Sequence, residues 1–157
     1  GETIMPEKQG SLALLNEPVA RQLLNSATLA HLAFNWTDGT PRVVPIWFQW
    51  TGEEVVFCSV GVAKKLKAIG DGTRVAITID GSEWPYPVLM LRGTVAISLY
   101  PGIVPGYRET AIRYIGEQNG GMFIGAIEST GLAMKRIAVV PDWVGVIDFQ
   151  TRWPGQT

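Results

Sequence analysis

The chain has 157 residues and a formal net charge of −1; 46% of its residues are hydrophobic and 17% charged. That length fits one domain with an ordinary core, and dispersed Lys and Arg near neutrality exclude a broad nucleic-acid footprint. One Cys and one His leave no internal disulfide and argue against a structural zinc site within one chain.

The lone Cys suits a reducing cytoplasm. The N-terminus lacks a signal-peptide pattern, and no apolar run reaches the ~18 residues of a membrane span. Gly1 in place of an initiator Met is expected of a processed or tagged end. Charged residues usually make up about a quarter of a soluble protein. So low a share in this chain, with six Trp, points to surface hidden in a partner, most simply a second copy.

In chain order, residues 1–15 read as a loosely ordered leader. Glu17 to Asn25 is expected as a helix, with Asn16 as N-cap and Pro18 in the first turn. Thr28 to Trp36 alternates well enough for a strand, with His31 in its middle, and Asp38-Gly39 turns the chain back. His31 could serve as an acid or a haem ligand, but a single mid-strand histidine more often packs or faces solvent.

The stretch TDGTPRVVPIWFQWTGEEVVFCSVGVAKKLK, Thr37 to Lys67, concentrates the chemistry. Arg42 to Trp50 and Glu54 to Ser59 read as a hairpin around Thr51-Gly52. A short loop, Val60 to Ala63, then leads to a helix over Lys64 to Ile69, ended by Gly70 and Gly72. An arginine and a hydroxyl facing two lysines at a strand-to-helix junction suit a phosphate: backbone N–H groups at a helix start favour an anion and the lysines neutralise it. The alternative is a solvated strand end and a wet helix face.

Further strands are expected over Arg74 to Asp80 and Val88 to Ser98, where Gly93 suggests a bulge or close backbone approach. Trp84 and Tyr86 lie in the proline-rich loop between them. Tyr107 to Ile115 has helical spacing. Residues 117–129 are too glycine-rich for a strong helix and read as at most a short one. Leu132 to Val140 and Trp143 to Phe149 are the last two strands, joined at Pro141-Asp142. Some seven strands, short turns and no βαβ alternation predict a mainly β, antiparallel, closed or nearly closed barrel without internal division.

The fragments LAHLAFNWTDGTPRVVPIWFQWTGEEVVFCS, KKLKAIGDGTRVAITID and PYPVLMLRGTVAI, followed by YRETAIRYIG and RIAVVPDWVGVIDFQTRW, resemble in order and spacing the pyridoxamine-phosphate-oxidase-like flavin-binding split-barrel family. The resemblance covers Ala27 to Trp153. It implies a six-stranded antiparallel Greek-key split barrel and a homodimer with a cofactor at each end of the interface. The cofactor implied is FMN, and the function a flavin-dependent oxidoreductase acting on a small molecule. A deazaflavin (F420) reductase on the same fold is one alternative, and a flavin or haem carrier without turnover is another.

By the same resemblance, Arg42 reaches the phosphate or ribityl chain, and the backbone of Val43, Val44, Pro45, Ile46 and Trp47 lies along the ring. Ser59 and Lys65 match a hydroxyl–lysine pair that holds the phosphate, and Lys64 falls where a second basic residue is found. Cys58, beside Ser59, joins that run, and reads otherwise as a small buried residue. Trp47 either covers the ring or packs in the barrel. Trp84, Tyr86 and Trp143 are candidate cleft walls, since flat rings bury much area at low entropic cost.

The chain departs from the oxidase branch at three places. Val88 replaces a polar residue, Ile147 replaces a tryptophan, and the substrate-gripping arginine–histidine pattern is missing unless Arg152 substitutes. Pyridoxamine-phosphate oxidation itself is therefore not expected, and no side chain stands out as a general acid.

Overall fold

The computed structural model describes residues 7–60 and 63–155. Its strands are β1 (Ala30–Asn35), β2 (Pro41–Ile46), β3 (Gln49–Trp50), β4 (Val55–Val60), β5 (Arg74–Asp80), β6 (Val88–Tyr100) and β7 (Met134–Ile147). Three helices accompany them: α1 (Pro18–Leu24), α2 (Tyr107–Ile115) and α3 (Glu117–Thr130). All pairings are antiparallel, in the order β2-β1-β5-β6-β7-β4-β3.

That order places β2 and β3 at opposite ends of the sheet although only Trp47 and Phe48 separate them in the chain. Three Cα–Cα steps, from Ile46 to Gln49, span at most about 11 Å. The sheet must therefore curl until its edges nearly meet. The result is the expected mainly β antiparallel split barrel. Its seven strands match the number read along the chain, against the six that the resemblance implied, but only because one predicted strand is broken in two and the last two are joined.

The broken strand is the first half of the expected hairpin. Only its tip pairs with the return strand: Gln49 opposite Val56 and Trp50 opposite Val55. Residues 41–46 pair instead with β1, Phe34 opposite Arg42 through Ala30 opposite Ile46. The break is held from α2. The Phe48 side chain is fully buried, and its N–H donates to the Tyr114 hydroxyl (3.3 Å), which donates to the Thr28 carbonyl (2.9 Å). The Arg113 guanidinium donates to the Phe48 carbonyl. Trp47 stacks on Tyr114 with centroids 5.1 Å apart. These contacts pull the chain out of the β1 ladder and into the core.

Three further expectations are corrected. The two final strands are one continuous β7, because Pro141-Asp142 is a bulge and not a turn. Arg92 pairs with Trp143 and Gly93 with Pro141, so Asp142 is the extra residue. Gly93 is required there, since a Cβ would sit 2.5 Å from the Val140 carbonyl oxygen. Residues 117–130 form a full helix despite their glycines. A Cβ on Gly120 would lie 2.9 Å from the Ile112 backbone, so the bare glycine is what lets α3 lie against α2, and packing overrides propensity. Finally, Lys64–Lys67 is one 3-10 turn rather than a helix.

Of the leader, residues 1–6 lie outside the described residues, while 9–16 are fastened to β7. The Gln9 side chain pairs with both backbone groups of Val146 (2.6 and 2.8 Å), and Leu14 is fully buried in a 3-10 turn over Leu12–Asn16. The core is one cluster in which Leu14, Leu23 and Leu24 meet Phe34, Phe57, Ile77, Leu91 and Val139. Each such side chain contributes ~1.5–3 kcal/mol of burial. Among the described residues no helix is long and apolar enough to cross a membrane.

Candidate functional site

Along the split, β2 has no strand on one flank, and β4 is unpaired on its β3 side beyond Val56. Two clefts open there. The first, about 310 Å³, is lined by Phe34, Trp36, Arg42, Val44, Lys64 and Lys65. The second, about 300 Å³, takes its walls from Pro45, Ile46, Trp47 and Cys58, together with residues of the helices. The sequence-predicted run is thus distributed over neighbouring hollows strung along β2.

The first cleft gathers three cations and no carboxylate among its lining residues. Arg42 is held at its mouth: Nη1 donates to Thr40 Oγ1 (2.6 Å) and to the Pro41 carbonyl (3.1 Å). Thr40 in turn donates to Asp38 from its hydroxyl (2.5 Å) and its backbone N–H (2.9 Å). Those two hydrogen bonds, with the nearby Arg42 charge, hold the Asp38 carboxyl below its usual range against slight desolvation. The guanidinium lies 5.8 Å from the Trp36 ring centroid. Lys64 is exposed and Lys65 half-buried. Burial lowers the Lys65 pKa, and among the described residues no acidic group pairs with either lysine. A half-desolvated ammonium without a counter-ion is a place where an anion is favoured.

The helix-start part of the phosphate argument does not carry over. A single 3-10 turn capped by Ala63, without a side-chain cap, has no macrodipole to offer. What remains is side-chain charge.

Ser59 is buried in β4, and its hydroxyl donates to the Val60 carbonyl (3.4 Å). It does not line the cleft that holds Lys65, and the loop between them includes Gly61 and Val62, outside the described residues. Cys58 lines the second cleft, where burial pushes its thiol up to about 12 against the pull of Arg136. Val43 points away from the core and is 64% exposed, whereas Val44 and Ile46 pack on it. Pro45 has no N–H, so any donors along this edge come from its neighbours. Trp47 is locked among Tyr107, Tyr114 and Phe123, which gives it a packing role at the break.

The other aromatics lie elsewhere. Trp84 and Tyr86 cluster with Phe149, at centroid distances of 4.9–5.6 Å. Trp84 lines a separate hollow of about 490 Å³ between α1 and the 81–87 loop. Trp143 lies under the Arg92 guanidinium at 3.9 Å. None of the three lines either cleft along β2. His31 faces outward, its Nδ1 3.9 Å from Asp80 Oδ1. Arg152 is engaged within the chain. Its guanidinium donates to the Glu7 carbonyl (2.6 Å) and lies 3.5 Å from Glu17, so it ties the chain ends together. Val88 and Ile147 are direct cross-strand partners; the two departures from the oxidase pattern form one apolar pair.

Sequence reasoning missed Tyr107 as a site residue. It lines the second cleft, but in the sequence it is only an aromatic on a helical stripe, and nothing local ties it to β2.

No family model matches the chain, and neither does any curated protein. Solved structures do match. An F420 reductase is 28% identical, with a TM-score of 0.61 over 78% of this chain and 93% of that one. The haem storage protein HutZ from Vibrio cholerae is 15% identical, with a TM-score of 0.57 over 84% and 93%. An FAD binding protein from Mycobacterium smegmatis is 16% identical, with a TM-score of 0.50 over 80% and 88%. The last two likenesses concern the fold alone. The chain therefore has the split-barrel architecture found in proteins named for flavin-type and haem cofactors.

Proposed function

We propose that this chain binds a phosphorylated flavin-type cofactor at the barrel split and works as an oxidoreductase. The observation that carries the reading is the first cleft, where Arg42, Lys64 and Lys65 converge with no carboxylate among the lining residues. The fit to a phosphate is chemical. Arg42 is oriented by the Thr40–Asp38 turn, and Lys65 lacks a counter-ion. Arginine offers a planar fork and lysine a point charge, a usual combination for phosphate.

The flat part of the cofactor would lie along the free edge of Val43–Trp47, where unpaired backbone groups can hydrogen-bond its heteroatoms. The cofactor supplies the hydride or electron chemistry when bound. The chain binds its phosphate, orients it against β2 and excludes water with the Trp47 cluster.

The identity of the cofactor stays between FMN and deazaflavin F420. The 28% likeness to an F420 reductase favours the second more than residue reading alone did. Carriage of flavin or haem without turnover is the alternative; for haem it is the weaker reading, because His31 lies beside Asp80 and lines neither cleft along β2. The cofactor is expected between two copies of the chain, with Trp84 or Tyr86 available to cover it from the partner.

The test is absorbance of the purified full chain followed by mass spectrometry of the released ligand, with FMN and F420 added back if it purifies empty. A flavin or deazaflavin retained at one per chain supports the proposal. Failure of both to bind at micromolar concentration would refute it.

A further inference from the structure

The hollow of about 490 Å³ between α1 and the 81–87 loop shares no lining residue with either cleft along β2. Its lining holds two carboxylates, Glu83 and Asp148, and no Lys, Arg or His. Asp148 accepts from the backbone N–H groups of Gln150, Thr151 and Arg152 (2.8–2.9 Å) and from the Thr151 hydroxyl (2.7 Å). Burial works against its charge, but these donors prevail and bring its pKa down to about 2, so it stays ionised at physiological pH. Glu83 is exposed and makes no ion pair or hydrogen bond among the described residues. A concave surface carrying one sign of charge concentrates ions of the other sign. Leu23, Trp84 and Pro85 supply apolar lining. The Trp84 ring is 67% exposed yet braced, its centroid 5.6 Å from Tyr86 and 4.9 Å from Phe149. An exposed indole beside uncompensated carboxylates suits an organic cation, because the ring face attracts positive charge and its area covers an apolar stem. The frame is already closed: the Gly81 N–H donates to the Pro87 carbonyl (2.9 Å), and the Ser26 hydroxyl to the Leu23 carbonyl (2.8 Å). Binding there has little ordering to offset.

We propose that this hollow binds a small organic ammonium, a primary amine on a short aromatic or apolar stem, with Glu83 selecting its charge and Trp84 holding its stem. The positive charge follows from the lining, where an anion would meet two carboxylates and a neutral ligand would gain nothing from them. A primary amine follows from the acceptors. Glu83, the Gln22 amide oxygen and the Ser82 hydroxyl make no hydrogen bonds among the described residues, and an ammonium has three N–H groups to offer them. The stem follows from Leu23, Trp84 and Pro85, and the volume suits a compound of one ring. A metal ion fits less well: hard cations need six or so oxygens, and among the described residues no group of His, Cys, Asp or Glu could hold one. The inference does not rest on the cofactor reading, since Arg42, Lys64 and Lys65 line a different cleft.

The experiment titrates the full chain by calorimetry, at neutral pH and low salt, with 2-phenylethylamine, 2-phenylethanol and 3-phenylpropanoate. The three share a phenylethyl stem and differ in charge. The amine is expected to bind about tenfold tighter than the alcohol, the scale of one charge-assisted hydrogen bond, and the carboxylate not measurably. In Glu83→Gln that preference should fall to within about threefold while the affinity for the alcohol is unchanged. Glu53→Gln makes the same change of net charge in the exposed turn between β3 and β4, outside the hollow, and should leave the preference intact. Trp84→Leu should weaken amine and alcohol alike. No binding of the amine by the parent, equal affinity for amine and alcohol, or the full preference kept in Glu83→Gln would overturn the assignment. So would an equal loss of preference in Glu53→Gln, or an amine affinity unmoved by Trp84→Leu. Failure here leaves the cofactor reading standing, and failure of the cofactor titration leaves this one standing.

Discussion

Lys65 shows how much one side chain can be made to say. Its position after β4 and its charge were legible from the spacing of KKLK behind a strand, and so was its association with Arg42. The partner assigned to it, Ser59, is not among the residues that line its cleft. Ser59 precedes it by six residues, but that its hydroxyl turns to the Val60 carbonyl is a matter of rotamer and burial, which spacing does not encode. We therefore expect Ser59→Ala to change FMN or F420 affinity less than about threefold, and Arg42→Ala with Lys65→Ala to weaken it ~10–100-fold or more, by calorimetry. The pH dependence follows from the same residue. Its attraction for phosphate is present while the amine is protonated and is lost as pH rises through the folded pKa. Burial places that value below the ordinary 10.5, whereas the cofactor phosphate has finished ionising by pH ~7. Affinity should decline on the alkaline side earlier than an ordinary lysine would allow, and Lys65→Arg should flatten the profile because a guanidinium stays charged.

At the scale of elements, alternation located β1, β5 and β6 well, because each buries one face and shows the other. It failed where tertiary contacts decide. The predicted strand from Arg42 to Trp50 is broken by Tyr114 and Arg113, which stand more than sixty residues away in sequence. Pro141-Asp142 looked like a turn because proline and aspartate are turn formers. In the fold Asp142 is the bulged residue, ion-paired through both carboxylate oxygens to Arg74. Gly93 was flagged correctly, and its partner in the bulge was not. Gly93→Ala should cost ~1–3 kcal/mol by chemical denaturation, since a methyl would press on the Val140 carbonyl oxygen and the Val139 side chain. A neutral result would mean that the β6–β7 ladder is looser than described.

For the whole molecule, low charge predicted a partner, and the surface has features that fit one: Val43 is 64% exposed on the outward face of edge strand β2, and Trp84 is 67% exposed. Sedimentation should give a dimer at micromolar concentration, shifted toward monomer by Val43→Asp; a monomeric parent would count against a pocket completed between copies. The barrel and its cationic cleft were legible because they depend on strand pattern and on charges close in sequence. The apolar cleft with Tyr107 was not, because the chain assembles it from β1's approach, β2, β4 and two helices. The central claim is that the first cleft holds the phosphate of a flavin-type cofactor. Its most direct test is the ratio of FMN to riboflavin affinity at neutral pH and low salt, since the two differ by that phosphate alone. The account predicts FMN tighter by ~10–100-fold, with the advantage lost in Arg42→Ala with Lys65→Ala. Equal affinity for the two would contradict it.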